Sequence, residues 1–140
     1  MKRIAVGRLL CMMLLMQTCG LAAAAGLGGK KKAPDTAGMP SAFDRAPASA
    51  YNLRNPYHGQ PDTVPAGRKL FLRHCAQCHG GKAEGGRKAP PLRSSGIREA
   101  PDGILFWFLK NGNPRAGMPS WSGLPPEQRW QIVSFLKSLR

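Results

Sequence analysis

Residues Cys75-Ala76-Gln77-Cys78-His79 decide how this chain is read. Two thiols three positions apart, with an imidazole directly after them, can serve four chemistries. Structural zinc usually takes four protein ligands. Beyond this cluster the candidates are few: His58, His74 and two further cysteines, Cys11 and Cys19, near the N-terminus. A thioredoxin-like dithiol expects a strand before the motif and a helix after it. Here a helical pattern precedes and the glycine-rich run Gly80–Gly86 follows. A plain disulfide asks only for the pair. The fourth chemistry is attachment of a c-type haem, for which C-x-x-C-H is the spacing. Two thiols so placed can each add to one of two neighbouring vinyl groups on a porphyrin edge. His79 is then carried beneath the iron as an axial ligand.

Working outward, residues 66–74 read as a helix entered after Pro65, with Gly67 and Phe71 four apart on one face. Residues 102–110 (DGILFWFLK) form a second, strongly apolar helix. Asp102 is placed to cap its start, and Gly112 to take a left-handed conformation at its end. Residues 125–139 form a third, with Pro125, Pro126 and Glu127 suited to a first turn. Ile132, Val133, Phe135, Leu136 and Leu139 cover one broad face of it, with Trp130 beside them. No segment between these alternates with period two, so the domain is all-α. A domain of about 80 residues buries too little apolar surface for comfort and usually needs a staple. A covalently bound haem is such a staple.

The N-terminal segments stand apart from this domain. Residues 1–25 have a basic start at Lys2 and Arg3, an apolar run from Leu9 to Met16, and small residues at Ala22–Ala25. That order is a secretory signal peptide, cleaved after Ala24 or Ala25. An uncleaved anchor is the alternative, since Leu9–Ala25 is at the short limit of the roughly 17–25 residues a span needs. Cys19-Gly20 follows Met16-Gln17-Thr18, a poor lipobox. Residues 26–60 contain Gly28-Gly29, Lys30-Lys31-Lys32 and prolines 34, 40, 47 and 56, without sustained periodicity. They read as a flexible Gly/Pro/Lys-rich linker or arm, leaving residues 61–140 as the folded domain. Lys30–Lys32 is a candidate point of membrane contact, although such runs are usually just solvated.

Twenty-one Lys+Arg against seven Asp+Glu give the 140 residues a net charge of +14, which falls to +11 when Lys2, Arg3 and Arg8 leave with the leader. Cys11 and Cys19 leave too, so the exported chain keeps two cysteines and cannot complete a zinc site made of four thiolates. Its compartment is the periplasm, where thiols tend to oxidise. A strongly cationic exported protein favours acidic protein partners. Export and the lack of a recognition motif argue against nucleic acid.

An iron held by His79 takes a second axial ligand from further along the chain. The exported chain offers Met39, in the linker, and Met118, in the loop Gly117-Met118-Pro119. A thioether opposite an imidazole is a known haem ligand pair, which favours Met118. His58 is the alternative, giving histidine on both sides.

From about Val64 to Arg140 the chain resembles class I, cytochrome c-like, monohaem domains. The residues that carry the resemblance are Gly67 and Phe71, Cys75-Ala76-Gln77-Cys78-His79, Pro90-Pro91-Leu92, Gly117-Met118-Pro119, and Trp130 with Phe135. The resemblance implies a cytochrome c-like fold, with three main helices wrapped around one covalently bound haem. It implies that the first and last helices cross at Gly67, against an aromatic matched here by Phe135. It implies that the Pro90 carbonyl binds the second nitrogen of His79, and that Leu92 packs on the haem. Cys75, Cys78, Pro90 and Leu92 are then the haem-binding residues, and His79 and Met118 the iron ligands. Trp121 has an even claim to a haem propionate or to the pocket wall; Trp107 walls the pocket by area.

With both axial positions filled, the implied function is one-electron transfer between redox proteins, not enzymatic turnover. The stretch from Gly117 to Leu139 further resembles cytochromes that accept electrons from periplasmic quinoprotein dehydrogenases. A terminal oxidase is an alternative partner. Two other readings share the same residues: a haem enzyme or gas sensor in which Met118 is displaced, and the haem subunit of a larger dehydrogenase complex.

Overall fold

The computed structural model describes residues 40–140. The leader, Lys30–Lys32 and Met39 lie outside the described residues. Five α-helices follow one another: α1 (Thr63–His74), α2 (Ala76–His79), α3 (Ser95–Glu99), α4 (Asp102–Asn111) and α5 (Pro126–Ser138). Short 3-10 turns occupy Ser41–Arg45, Ala48–Asn52 and Pro114–Ala116. The only β pairing among the described residues is one isolated bridge, Asn113 with Met118. The fold is all-α and cytochrome c-like, built on the three long helices α1, α4 and α5.

The α1/α5 crossing organises the molecule. Gly67 makes it possible: a Cβ there would lie 1.9 Å from the Gln131 carbonyl oxygen and 3.0 Å from Phe135 Cβ. One helical turn on, Phe71 meets Phe135 with ring centroids 5.1 Å apart. Phe71, Ile104, Ile132 and Val133 are the largest fully buried side chains. Each is worth roughly 1.5–3 kcal/mol of transfer free energy. Helix α4 is held to α5 by Phe106, which stacks on Trp130 at 4.0 Å, and by Arg129, whose guanidinium lies 4.8 Å from the Phe106 centroid. The paucity of acids shows here. Arg129 is buried, and its Nε and Nη1 have no hydrogen-bond partner among the described residues. Burial lowers its pKa, and the ring face supplies the main compensating attraction.

Several local details differ from the sequence reading. Helix α1 starts at Thr63, three residues early, with Pro65 in its first turn, where the missing N–H would have had no helical partner. Asp102 does not cap α4; Pro101 holds the cap position, and no side chain bonds there. The Asp102 carboxylate instead pairs with Lys137 Nζ at 3.1 Å and accepts the Asn55 N–H at 3.4 Å, tying α4 to α5 and to the arm. Gly112 has the expected positive φ of 67°, but its ψ of −167° is extended rather than left-handed helical. The left-handed residue is Gly117, at φ 80° and ψ 4°.

Of the linker or arm, residues 40–60 are described, and they are anchored on the domain by Phe43, Ala50 and Asn55. Phe43 is 3% exposed and Ala50 is 2% exposed. Phe43 meets Phe108 edge to face at 5.0 Å. Asn55 is buried; its Nδ2 donates to Trp130 O at 3.1 Å and Ser134 Oγ at 2.7 Å, while its Oδ1 accepts the Tyr57 N–H. Isolated anchors on 3-10 turns and in the segment after them leave no helical or strand period to read. Among the described residues no helix is long and apolar enough to cross a membrane.

Candidate haem site

A cleft of about 390 Å³ opens beside the α1/α5 crossing. Its floor is apolar, with Phe71, Ile97, Leu105, Leu109, Ile132 and Leu136 along it. Among the described residues no Asp, Glu, Lys or Arg lines it. An apolar, uncharged slot is what the faces of a porphyrin require.

Cys75, at the end of α1, is half-buried; Cys78, in the single turn of α2, is exposed. Both line the cleft, and they are not joined to each other in a disulfide. Burial first, and then the neighbouring Cys78, push the Cys75 thiol up to about 11. A working redox dithiol needs the opposite shift, so the thioredoxin-like reading fits poorly. Zinc fits no better: among the described residues no three His, Cys, Asp or Glu side chains converge on one point.

His79 ends α2 and is buried. Its Nδ1 lies 2.9 Å from the Pro90 carbonyl oxygen. A carbonyl can only accept, so Nδ1 carries a proton, and in the neutral ring it is Nε2 that holds the lone pair. The loop between them is shaped for this contact. Gly85, at φ 78°, passes against the backbone of Pro90 and Pro91, where a Cβ would lie 2.5 Å from Pro91 N. The Gly85 N–H donates to His79 O at 2.7 Å and the Leu92 N–H to Ala83 O at 2.9 Å. Pro90 and Leu92 both line the cleft.

Met118 is half-buried and lines the same cleft. Its loop is closed by a reciprocal pair: Asn113 N–H to Met118 O at 2.9 Å, and Met118 N–H to Asn113 O at 3.0 Å. Trp121 N–H to Leu109 O and Ser120 Oγ to Lys110 O fasten the loop to α4. Gly112 is required there, since a Cβ would lie 2.4 Å from Pro119 O.

The structure keeps His58 away from the cleft: it is exposed, in a separate surface groove with Tyr57, Asp102 and Lys137. Trp107 also lies off the cleft, whereas Trp121 lines it and faces the His74 ring at 5.2 Å. Three contributors had no signal in the sequence. Ile97 comes from α3, too short a helix to show periodicity. Pro40 and Phe43 come from the arm.

A family model described as cytochrome c oxidase, cbb3-type, subunit III, matches residues 62–136, over half the chain. This chain belongs to that family of cytochrome c domains. Two curated relatives agree. Cytochrome c55X of Pseudomonas aeruginosa is 33% identical over 86 residues, covering 57% of this chain and 71% of the relative. Quinohemoprotein alcohol dehydrogenase ADH IIB of Pseudomonas putida is 32% identical over 115 residues. That match covers 80% of this chain but spans only 15% of the dehydrogenase's length. Among solved structures, cytochrome cL from Methylophaga aminisulfidivorans superposes with a TM-score of 0.51 at 28% identity, over 59% of this chain and 57% of that one. The cofactor of this cytochrome c domain is covalently held haem c, and Cys75-Ala76-Gln77-Cys78-His79 is its attachment motif. Haem-based electron transfer is the chemistry of that family.

Proposed function

We propose that the chain is an exported one-electron carrier whose haem iron is ligated by His79 and Met118, shuttling electrons between redox proteins in the periplasm. The observation that carries this reading is the 2.9 Å contact of His79 Nδ1 with Pro90 O, in a cleft that Met118 shares. It leaves His79 one lone pair to give, at Nε2. Haem c, when bound, supplies a single electron reversibly. The protein's part would be to present His79 and Met118 to the iron, exclude water with the apolar lining of the cleft, and keep the imidazole from rotating. The Pro90 carbonyl fixes the tautomer and orientation of His79, as an outer-shell acceptor does. The Met118 thioether favours the ferrous ion and so raises the potential. With His79 and Met118 both holding the iron, the role would be a carrier's rather than an enzyme's.

The donor or acceptor is an acidic redox protein, and a periplasmic quinoprotein dehydrogenase suits it best. The likeness to a segment of a quinohemoprotein alcohol dehydrogenase, across 80% of this chain, supports that choice. The test uses protein matured in a host competent for haem c attachment. A pyridine haemochrome spectrum should show two thioether links, and a redox titration should fit one electron. Ferrous protein should leave carbon monoxide unbound. Prompt carbon monoxide binding by the unaltered protein would favour the gas-sensor or enzyme reading instead.

A further inference from the structure

The segment from Pro40 to Asn52 does more than pad the domain. Phe43 lines the haem cleft and packs edge to face on Phe108 of α4. Two residues on, Arg45 Nη2 donates to the Gly112 carbonyl at 3.4 Å, and its guanidinium lies 5.9 Å from the Phe108 ring. Gly112 is the residue at which α4 gives way to the Met118 loop; its backbone runs against the carbonyls of Met118 and Pro119. The next residue, Asn113, makes the reciprocal pair with Met118. A continuous set of contacts therefore runs from the arm to the methionine.

The far end of the segment is seated just as closely. Gly103 of α4 receives it: a Cβ there would lie 2.0 Å from Ala50 O and 2.6 Å from Leu53 Cβ. Helical preference alone favours alanine at such a position. Only the apposed arm makes glycine the fitting residue.

We propose that Pro40–Asn52 is a strap that closes the haem cleft beside the Met118 loop and holds that loop shut, so that it sets how fast a small exogenous ligand such as imidazole reaches the iron. Phe43 and Arg45 are its positioning residues. The proposal rests on the reading of Met118 as an iron ligand. Its physical content is a local opening equilibrium: the ligand enters only when the loop lifts, and the strap's contacts are lost in the lifted state.

Imidazole association with the ferric holoprotein measures that opening. Phe43→Ala and Gly103→Ala should each speed it by about tenfold or more, the factor to which 1.4 kcal/mol of lost packing converts. Phe43→Leu should restore most of the slow rate, and Arg45→Ala should give a smaller acceleration. Amide exchange of residues 112–118 should rise in the same variants while that of the α1/α5 crossing stays unchanged. Equal association rates in unaltered protein, Phe43→Ala and Gly103→Ala would overturn the strap. So would faster exchange spread evenly over the whole domain. If the unaltered ferric protein lacks the far-red sulfur-to-iron band, it is the Met118 ligation that fails. The strap then stands or falls on whether those variants still selectively raise exchange at 112–118.

Discussion

At the scale of single residues, the site is a problem of aiming lone pairs. His79 is fixed by one acceptor, the Pro90 carbonyl, and by burial in the turn that follows the cysteines. Met118 is fixed by its loop. On the proposed ligation, replacing Met118 with alanine should lower the reduction potential and let ferrous protein bind carbon monoxide promptly. Optical redox titration and carbon monoxide difference spectra read these outcomes. Glu84 shapes the other loop. Its carboxylate accepts hydrogen bonds from its own backbone N–H and then from that of Lys82, at 2.8 Å for the latter, and these hold its pKa below the usual value. A depressed folded pKa contributes stability that is present above the unfolded pKa and lost as pH falls through the folded one. Glu84 is exposed, so the effect is small. Glu84→Gln should flatten the acid limb of stability against pH, as urea midpoints measured across that range would show.

At the scale of elements, α1 and α5 meet because Gly67 lacks a side chain. Gly67→Ala gains helix propensity but drives a methyl into the Gln131 carbonyl. Overpacking of this kind costs about 1–3 kcal/mol, more than the roughly 1 kcal/mol that alanine contributes in a helix. Denaturant titration of the holoprotein should therefore report a net loss of stability. Periodicity showed the two helices and the face shared by Gly67 and Phe71; their crossing came from the resemblance to cytochrome c-like domains, which matches Phe135 to the aromatic that meets the glycine. The haem motif was legible because its spacing is covalent chemistry rather than packing. The arm was not. Phe43, Ala50 and Asn55 are isolated buried positions in 3-10 turns and the segment after them, and a search for repeating apolar positions passes over them. Helix α3, with five residues, fails the same search. The misassigned role of Asp102 has a different cause: its partners, Lys137 and Asn55, are distant in sequence.

At the scale of the whole molecule, charge is distributed unevenly along the chain. Residues 63–83 and 103–126, which carry the attachment cysteines and the Met118 loop, contain Arg68, Lys69, Arg73, Lys82, Lys110 and Arg115 and no Asp or Glu. Opposite potentials steer encounter and raise association rates by factors of about 10–1,000. The double reversal Lys110→Glu with Arg115→Glu should slow electron transfer to an acidic partner by about tenfold at low salt. The difference should shrink at high ionic strength, where exposed charges are screened. Stopped-flow rates over a salt series give the comparison; an unchanged low-salt rate would place docking elsewhere. Both residues are exposed, so the potential and the fold should be unaffected.

The account turns on Met118 being the residue that completes the iron's coordination opposite His79. The most direct measurement is the far-red absorption of the ferric holoprotein, taken beside Met118→Ala, Met39→Ala and His58→Ala. A sulfur-to-iron band present in the unaltered protein and in the last two variants, and missing only from Met118→Ala, is the predicted result. A band that survives Met118→Ala, or that is absent from the unaltered protein, would contradict it.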